Sequence, residues 1–390
     1  MLFYPLYALL FAQSGLTAAQ ISSLFAIWCV VSFAFEVPSG AWADTFSRRR
    51  LLAFGALVRA TGFLIWGVLP TYPGFAVGFA CWAFCGAVNS GAKEALLYDA
   101  LSDTGTEHRY TAIVARAETV AMLSMLAATA LATPVLAIGG FGLITTGSVL
   151  ACLGSAWAAL RLPDRPVSTA SSEAYWAALR AGLHEVRRDR AIRRAVVVAA
   201  AVPTLTSLDE YVSLLVHDLG VAVVGVPLAV AVMVAGMAAG SMLAERHSAA
   251  RPRRIGLAVA GAGLALGIGA VSGSVWGLVP IAAGYGLLQL ASVLTEARLQ
   301  ERMSGDARAT VLSVSGLGVD IGALAVYASF GIGSHWFGTA QLTATFTVPI
   351  LVVAVLAARW LPAHRAYAHS TSGPPVPPPP VPDRPSAPPP

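Results

Sequence analysis

Charge is scarce in this sequence. Only 12% of its 390 residues are Asp, Glu, Lys or Arg, while 56% are hydrophobic and the mean hydropathy is +0.70. Soluble domains carry about 25% charged residues, so this composition excludes an ordinary water-soluble domain and points to a chain built for lipid. Cysteine is sparse too. Cys29, Cys81, Cys85 and Cys152 all lie inside apolar runs, which is neither a disulfide framework nor a metal box. The seven histidines are too scattered for a metal site. No Walker sequence or other nucleotide-cradling glycine loop is present, so ATP-driven chemistry has no support. The net charge of +5 does not signal nucleic acid, because the basic residues sit between apolar segments. No cofactor and no enzymatic activity are expected.

What is present is a series of long apolar runs. Twelve crossings of about 20 residues would use roughly 240 residues, which leaves room for short loops and two longer cytoplasmic segments. Met1 to Ala12 is apolar but too short to cross alone, and no basic stretch precedes it as in a signal peptide. We read it as the outer part of span 1, with its inner part missing. Span 2 is expected at about Ser22 to Ala43, span 3 at Leu51 to Leu69 and span 4 at Gly74 to Leu97. Span 5 starts near Tyr110 and breaks before Pro134, and span 6 covers Phe141 to Leu160. In the second half the expected spans are Ala195 to Val216, Val223 to Leu243, Ile255 to Val271, Trp276 to Leu294, Ala309 to Ile332 and Ala340 to Leu361.

The organisation that follows is a six-helix bundle at 1–160, a basic cytoplasmic linker at 161–194, a second six-helix bundle at 195–362 and a Pro-rich cytoplasmic tail at 363–390. Within the linker, Ala174 to Arg190 puts Trp176, Leu179 and Leu183 on one side, the pattern of an amphipathic helix on the inner leaflet. The tail reads as disordered and rich in polyproline II. Every loop assigned to the cytoplasm holds Arg, and the six outer loops hold neither Arg nor Lys. The positive-inside rule then places both termini in the cytoplasm.

Residues 36–50 are the most informative stretch. An apolar helix runs into Asp44 and then into Arg48, Arg49 and Arg50. Gly40, Asp44 and Arg48 are four apart and share one face if the helix continues. Asp44 opposes the helix dipole at that end and needs a compensating partner. A stop-transfer cluster would also look like this. However, Gly40-x-x-x-Asp44-x-x-x-Arg48-Arg49 resembles the loop signature between spans 2 and 3 of the major facilitator superfamily. Ser241-x-x-x-Glu245 is a weak echo in the other half, and Arg298-Leu299-Gln300 through Arg308-Ala309-Thr310-Val311 is similar to the entry into span 11 of many bacterial members. The resemblance extends to about residue 362 and leans towards a bacterial small-molecule or drug efflux branch. It implies an all-α membrane fold of twelve helices in two pseudo-symmetric bundles, the first helix shortened. It also implies that Asp44 interacts with charges on span 4 and at the start of span 11.

Ionisable groups in a bilayer cost several kcal/mol unless paired or wetted, so those inside the spans are candidates. Glu36, Lys93, Glu94, Arg116, Glu118 and Glu296 lie near the cytoplasmic ends, where they would form either an inner gating network or direct substrate contacts. Arg59, Asp209, Glu210 and Asp320 lie deeper. Asp320 is about 11 residues into span 11, roughly 17 Å at 1.5 Å per residue, with Ser313, Gly316 and Tyr327 on its face. On an α-helical span 7, Glu210 shares a stripe with Thr206, Ser213 and His217, and on span 10 Gln289, Ser292 and Glu296 make another. These residues and Asn89 either line a central cavity or only tie helices together. A lone carboxylate at the midplane suits proton coupling, unless Arg59 packs against Asp320 and keeps both ionised.

The expectation is a secondary transporter in the plasma (inner) membrane, monomeric, that moves a small molecule by alternating access. Proton-coupled efflux comes first. Proton-coupled uptake of a metabolite and a non-transporting sensor or scaffold are the alternatives. The partners are then a small-molecule substrate, protons and the lipid bilayer.

Overall fold

The computed structural model describes residues 1–103, 105–106, 109–163, 189–301 and 307–362, and every regular element among them is helical. The linker helix expected at 174–190 and the Pro-rich tail from 363 lie outside the described residues, apart from 189 and 190. A turn at residues 1–6 leads into α1 (Tyr7–Gln13). The sharp reversal at Gly15, at φ 86°, opens α2 (Ala18–Thr45), whose start is fixed by a capping box. There Gln20 N–H donates to Thr17 Oγ1 at 3.3 Å, and Thr17 N–H donates back to Gln20 Oε1 at 2.9 Å. α3 (Arg48–Val68), α4 (Tyr72–Asp103) and the long α5 (Tyr110–Leu160) follow.

The other half begins with α6 (Arg190–Thr204), capped by Asp189, which accepts from the N–H of Ala191 at 2.6 Å and of Ile192 at 3.3 Å. A 3-10 segment (Leu205–Tyr211) and α7 (Val212–Asp218) continue it. Then come α8 (Val226–Arg246), α9 (Pro252–Val271), α10 (Leu278–Gln300), α11 (Ala307–Gly333), α12 (Thr339–Thr345) and α13 (Thr347–Trp360). Nine described segments are long and apolar enough to cross a membrane.

The chain runs back and forth, so its connections alternate between two ends. One end carries Arg48, Arg190, Arg246 and Arg254 and is called here the arginine end. In the first half α3 packs on α4 and α5, and α2 packs on α4. In the second half α8 and α9 pack on α10, α13 packs on α9, and α6 packs against α11. Contact across the halves runs through α1 with α7, α2 with α11 and α5 with α8. With no water to drive packing between helices, close approach comes from small residues. α8 and α10 show this best, since a side chain on Gly240 would run into the Gly286 carbonyl.

Four local expectations are corrected. The break between spans 5 and 6 falls at Gly140 rather than before Pro134: the helix carries Pro134 in its interior, and the path turns at Gly140 with φ 58° and ψ −158°, which suits a residue without a side chain. Arg48 does not share a face with Gly40 and Asp44. Phe46 is extended, with φ −113° and ψ 159°, and Ser47 caps a new helix by accepting from the N–H of Arg50 at 3.4 Å. Arg48 instead turns back and donates from Nε to the Ala43 carbonyl at 3.0 Å, near the end of α2. Span 7 is not one α-helix, and span 12 is divided at Phe346.

Candidate functional site

The interruption of span 7 builds the site. Pro203 lacks an N–H, and the hydroxyls of Thr204 and Thr206 bond back to the carbonyls of Ala200 at 2.9 Å and Pro203 at 2.6 Å. Hydroxyls that compete for backbone carbonyls bend and tighten helices. Over Leu205–Tyr211 the chain adopts 3-10 geometry, in which side chains three apart eclipse. Leu205, Leu208 and Tyr211 form one buried ridge, so the adjacent Asp209 and Glu210 project on two further ridges. The α-helical stripe joining Glu210 to Thr206, Ser213 and His217 is therefore not the arrangement present.

Asp209 and Tyr211 reach across to the first half. Tyr4 donates from its hydroxyl to Asp209 Oδ2 at 3.3 Å. Tyr211 and Ser22 share a hydrogen bond of 2.8 Å, and because Ser22 Oγ donates to the Ala18 carbonyl, the tyrosine is its donor. The Tyr211 ring stacks on Phe330, with centroids 3.6 Å apart. Gly331 sits close to Ser22 and Ala19. These contacts form a seam between the halves at the end opposite the arginines.

Beside the seam lies a cavity of about 200 Å³. Tyr4 and Tyr7 line it from the N-terminal segment, Phe25 and Trp28 from α2, and Phe79 and Trp82 from α4. The other half contributes Glu210 and Tyr327. Tyr7 is the hub, with edge-on contacts to Phe25 at 6.0 Å, Phe79 at 5.6 Å and Trp82 at 5.8 Å. Phe25 touches Tyr327 at 5.4 Å. A wider aromatic cluster holds these rings: Phe11 packs on Phe75 at 4.3 Å, and the buried Trp66 donates to the Phe75 carbonyl at 3.2 Å. Glu210 also borders a smaller recess with Asp209, Ser213 and Met233. Its Oε2 is buried with no hydrogen-bond partner among the described residues.

The remaining predicted residues are spread more widely. Asp320 stands exposed on α11, the helix that packs on α2 of the other half. Glu36 accepts from Ser90 Oγ of α4 at 3.2 Å. Arg59 is half-buried within the first half, near Cys85 and the N-terminal amine, and its Nε has no partner there. The pairing of Arg59 with Asp320 is thus absent. Asn89 donates to Cys85 Sγ at 3.5 Å. Glu296 accepts from Gln300 in its own helix at 3.2 Å, Gln289 is half-buried, and Ser292 Oγ is buried without a partner. Lys93 and Arg116 are exposed and Arg49 is half-buried at the start of α3. Gly40 and Asp44 fall in the last turns of α2, Glu94 on α4 and Glu118 on α5, with their side chains outside the described set. No metal-holding group of His, Cys, Asp or Glu occurs among the described residues.

Of the aromatic lining only Tyr327 was named from the sequence; the other rings were passed over, because in an apolar helix a ring is indistinguishable from lipid-facing or core material. The i, i+3 pairs Tyr4 and Tyr7, Phe25 and Trp28, and Phe79 and Trp82 were the available signal. Arg298, beyond the expected end of span 10 at Leu294, lies in the last turn of α10 and is buried. Its Nη2 donates to the carbonyls of Ser248 at 2.5 Å and Ala250 at 3.0 Å, and its Nη1 to Glu301 at 3.1 Å.

The family profile of the Major Facilitator Superfamily matches residues 1–305. Curated protein sequences give no match. Among solved structures, the chain is similar to the nucleoside transporter NupG (D323A mutant), with TM-score 0.71 and 13% identity over 91% of this chain and 92% of the other. An auto-inhibited POT family peptide transporter matches with TM-score 0.66 and 15% identity, covering 88% of each. A D-xylose-proton symporter matches with TM-score 0.63 and 12% identity, over 90% and 91%. At these identities the likeness is one of fold.

Proposed function

Because the chain belongs to the major facilitator superfamily, we propose that it exports a small molecule in exchange for protons, by alternating access around the aromatic cavity. It is a multi-pass membrane protein and a transporter rather than an enzyme. We count twelve crossings: the two legs of α5 on either side of Gly140 are separate, and α4 and residues 1–13 join the apolar segments. The halves 1–160 and 195–362 are the moving bodies, the arginine end is cytoplasmic, and the protein works as a monomer in the plasma membrane.

One observation carries this reading: beside the cavity, at the end opposite the arginines, two hydrogen bonds join the halves. Tyr4 with Asp209 and Tyr211 with Ser22 form the seal. Towards the arginine end, Glu36, Ser90 and Asp320 are exposed on facing helices, and carboxylates exposed at that depth call for water rather than lipid. On this reading the site opens to the arginine end in this state. Glu210 at the cavity wall is the substrate-side carboxylate, and Asp320 takes the proton. Gly40, Asp44, Arg48 and Arg49, with Lys93, Glu94, Arg116 and Glu118, then close the arginine end in the opposite state.

Uptake by proton symport is the second reading, since a fold neighbour is a D-xylose-proton symporter. Direction is tested in proteoliposomes under an imposed pH jump. Flux of substrate against the proton gradient supports export, flux with it supports uptake, and no flux in either direction rejects transport. Asp320→Asn is expected to keep fold and substrate binding while losing the response to the pH jump. Wild-type dependence on the gradient in that variant would remove Asp320 from the coupling role.

A further inference from the structure

The geometry points to a specific ligand class: we propose that the cavity selects an organic cation, a lipophilic amine or quaternary ammonium bearing one ring. This rests on the transport reading for its purpose, while the site itself rests on the residues that line the cavity. Aromatic rings from the N-terminal segment, α2, α4 and α11 surround the space, and none of the lining residues is Arg, Lys or His. The carboxylate of Glu210 enters the same wall, and its Oε2 is both inaccessible to solvent and without a hydrogen-bond donor. A buried acceptor left unmatched is costly, so the site is incomplete until a donor or a cation arrives. The neighbouring Asp209 adds a second acidic group on the same turn, already engaged with Tyr4.

The chemistry discriminates between ligand types. A carboxylate or phosphate would meet Glu210 with no counter-cation on the wall. A cation meets both an attractive carboxylate and the negative faces of aromatic rings, an arrangement known to recognise quaternary ammonium groups. Size narrows the class: the cavity of about 200 Å³ is below the ~300–1,000 Å³ typical of drug-sized pockets. One ring with an ammonium head is the matching scale.

The test uses the full chain in lipid nanodiscs and radiolabelled benzyltrimethylammonium, with neopentylbenzene, its neutral carbon isostere, as the charge control and empty discs as baseline. Saturable binding of the cation is expected, with at least about tenfold weaker binding of the isostere. Glu210→Gln should weaken cation binding by about tenfold or more and leave the isostere unchanged. Trp82→Leu, which keeps the carboxylate, should also weaken the cation by several-fold and serves if the Glu210 variant does not fold. Equal binding of cation and isostere, or cation binding indifferent to both substitutions, overturns the cation assignment and leaves transport standing. Saturable, Glu210-dependent binding without movement of the cation across a bilayer supports the assignment and counts against transport instead.

Discussion

Tyr211→Phe isolates the seal that closes the cavity. The substitution removes one hydroxyl and keeps the ring, so the stack on Phe330 at 3.6 Å survives. The lost bond is the 2.8 Å donation to Ser22, whose own hydroxyl stays satisfied by the Ala18 carbonyl at 2.8 Å. No orphaned polar group is left on that side, so the cost is that of one net hydrogen bond, about 1 kcal/mol. Since about 1.4 kcal/mol is tenfold in an equilibrium, the population unsealed at this end should rise about fivefold. Spin labels on Gln13 and His335, exposed residues on opposite sides of the seam, report the separation by pulsed electron resonance. The four native cysteines are all free and can be replaced without breaking a disulfide. A long-distance population that grows about fivefold in Tyr211→Phe is the expected result. An unchanged distance distribution would mean that this bond does not hold the halves together. Adding Tyr4→Phe, which strips Asp209 of its donor, should widen the shift further.

Arg298→Ala leaves the carbonyls of Ser248 and Ala250 without their donor and should cost roughly 3 kcal/mol, seen as a fall of several degrees in melting temperature in detergent. Arg298→Lys should recover only part, because an ammonium cannot present the guanidinium fork. Gly240→Leu should abolish the monodisperse folded peak of a fluorescent fusion by forcing α8 from α10, whereas Gly154→Leu, where nothing lies within 4 Å, should not. Asp44→Asn should reduce transport more than surface expression. Normal flux from a well-folded variant would dismiss a gating role for that carboxylate.

Much of the helical layout is legible from hydropathy alone, since a run such as Val226–Arg246 has little option in lipid but to satisfy its own backbone. Depth is legible as well, because counting residues along a helix measures distance along its axis. Azimuth is not. In a helix that is apolar all round, no moment distinguishes a ring facing lipid from one facing a cavity, and so Tyr7, Trp28 and Trp82 gave no sign. Charges do carry azimuth, because lipid rejects them, and Glu210 was identifiable on that ground. Its neighbours were not, because the turn geometry from Pro203 to Tyr211 replaces the 3.6-residue period with one of three. Pro134 misled for a related reason: a proline costs a helix one bond, whereas only Gly140 has the backbone freedom to turn the chain.

The 3-10 turn also stores length. Its rise of about 2.0 Å per residue exceeds the 1.5 Å of an α-helix, so the seven residues Leu205–Tyr211 span roughly 3.5 Å more than the same residues would when relaxed. Rewinding them would draw α7 towards α6 by that amount, like a screw taken up by a fraction of a turn. It would also swing Asp209 away from Tyr4 and Glu210 along the wall, because each residue would then advance about 100° instead of 120°. A single change of pitch in this segment therefore links the seal to the position of the carboxylate at the cavity.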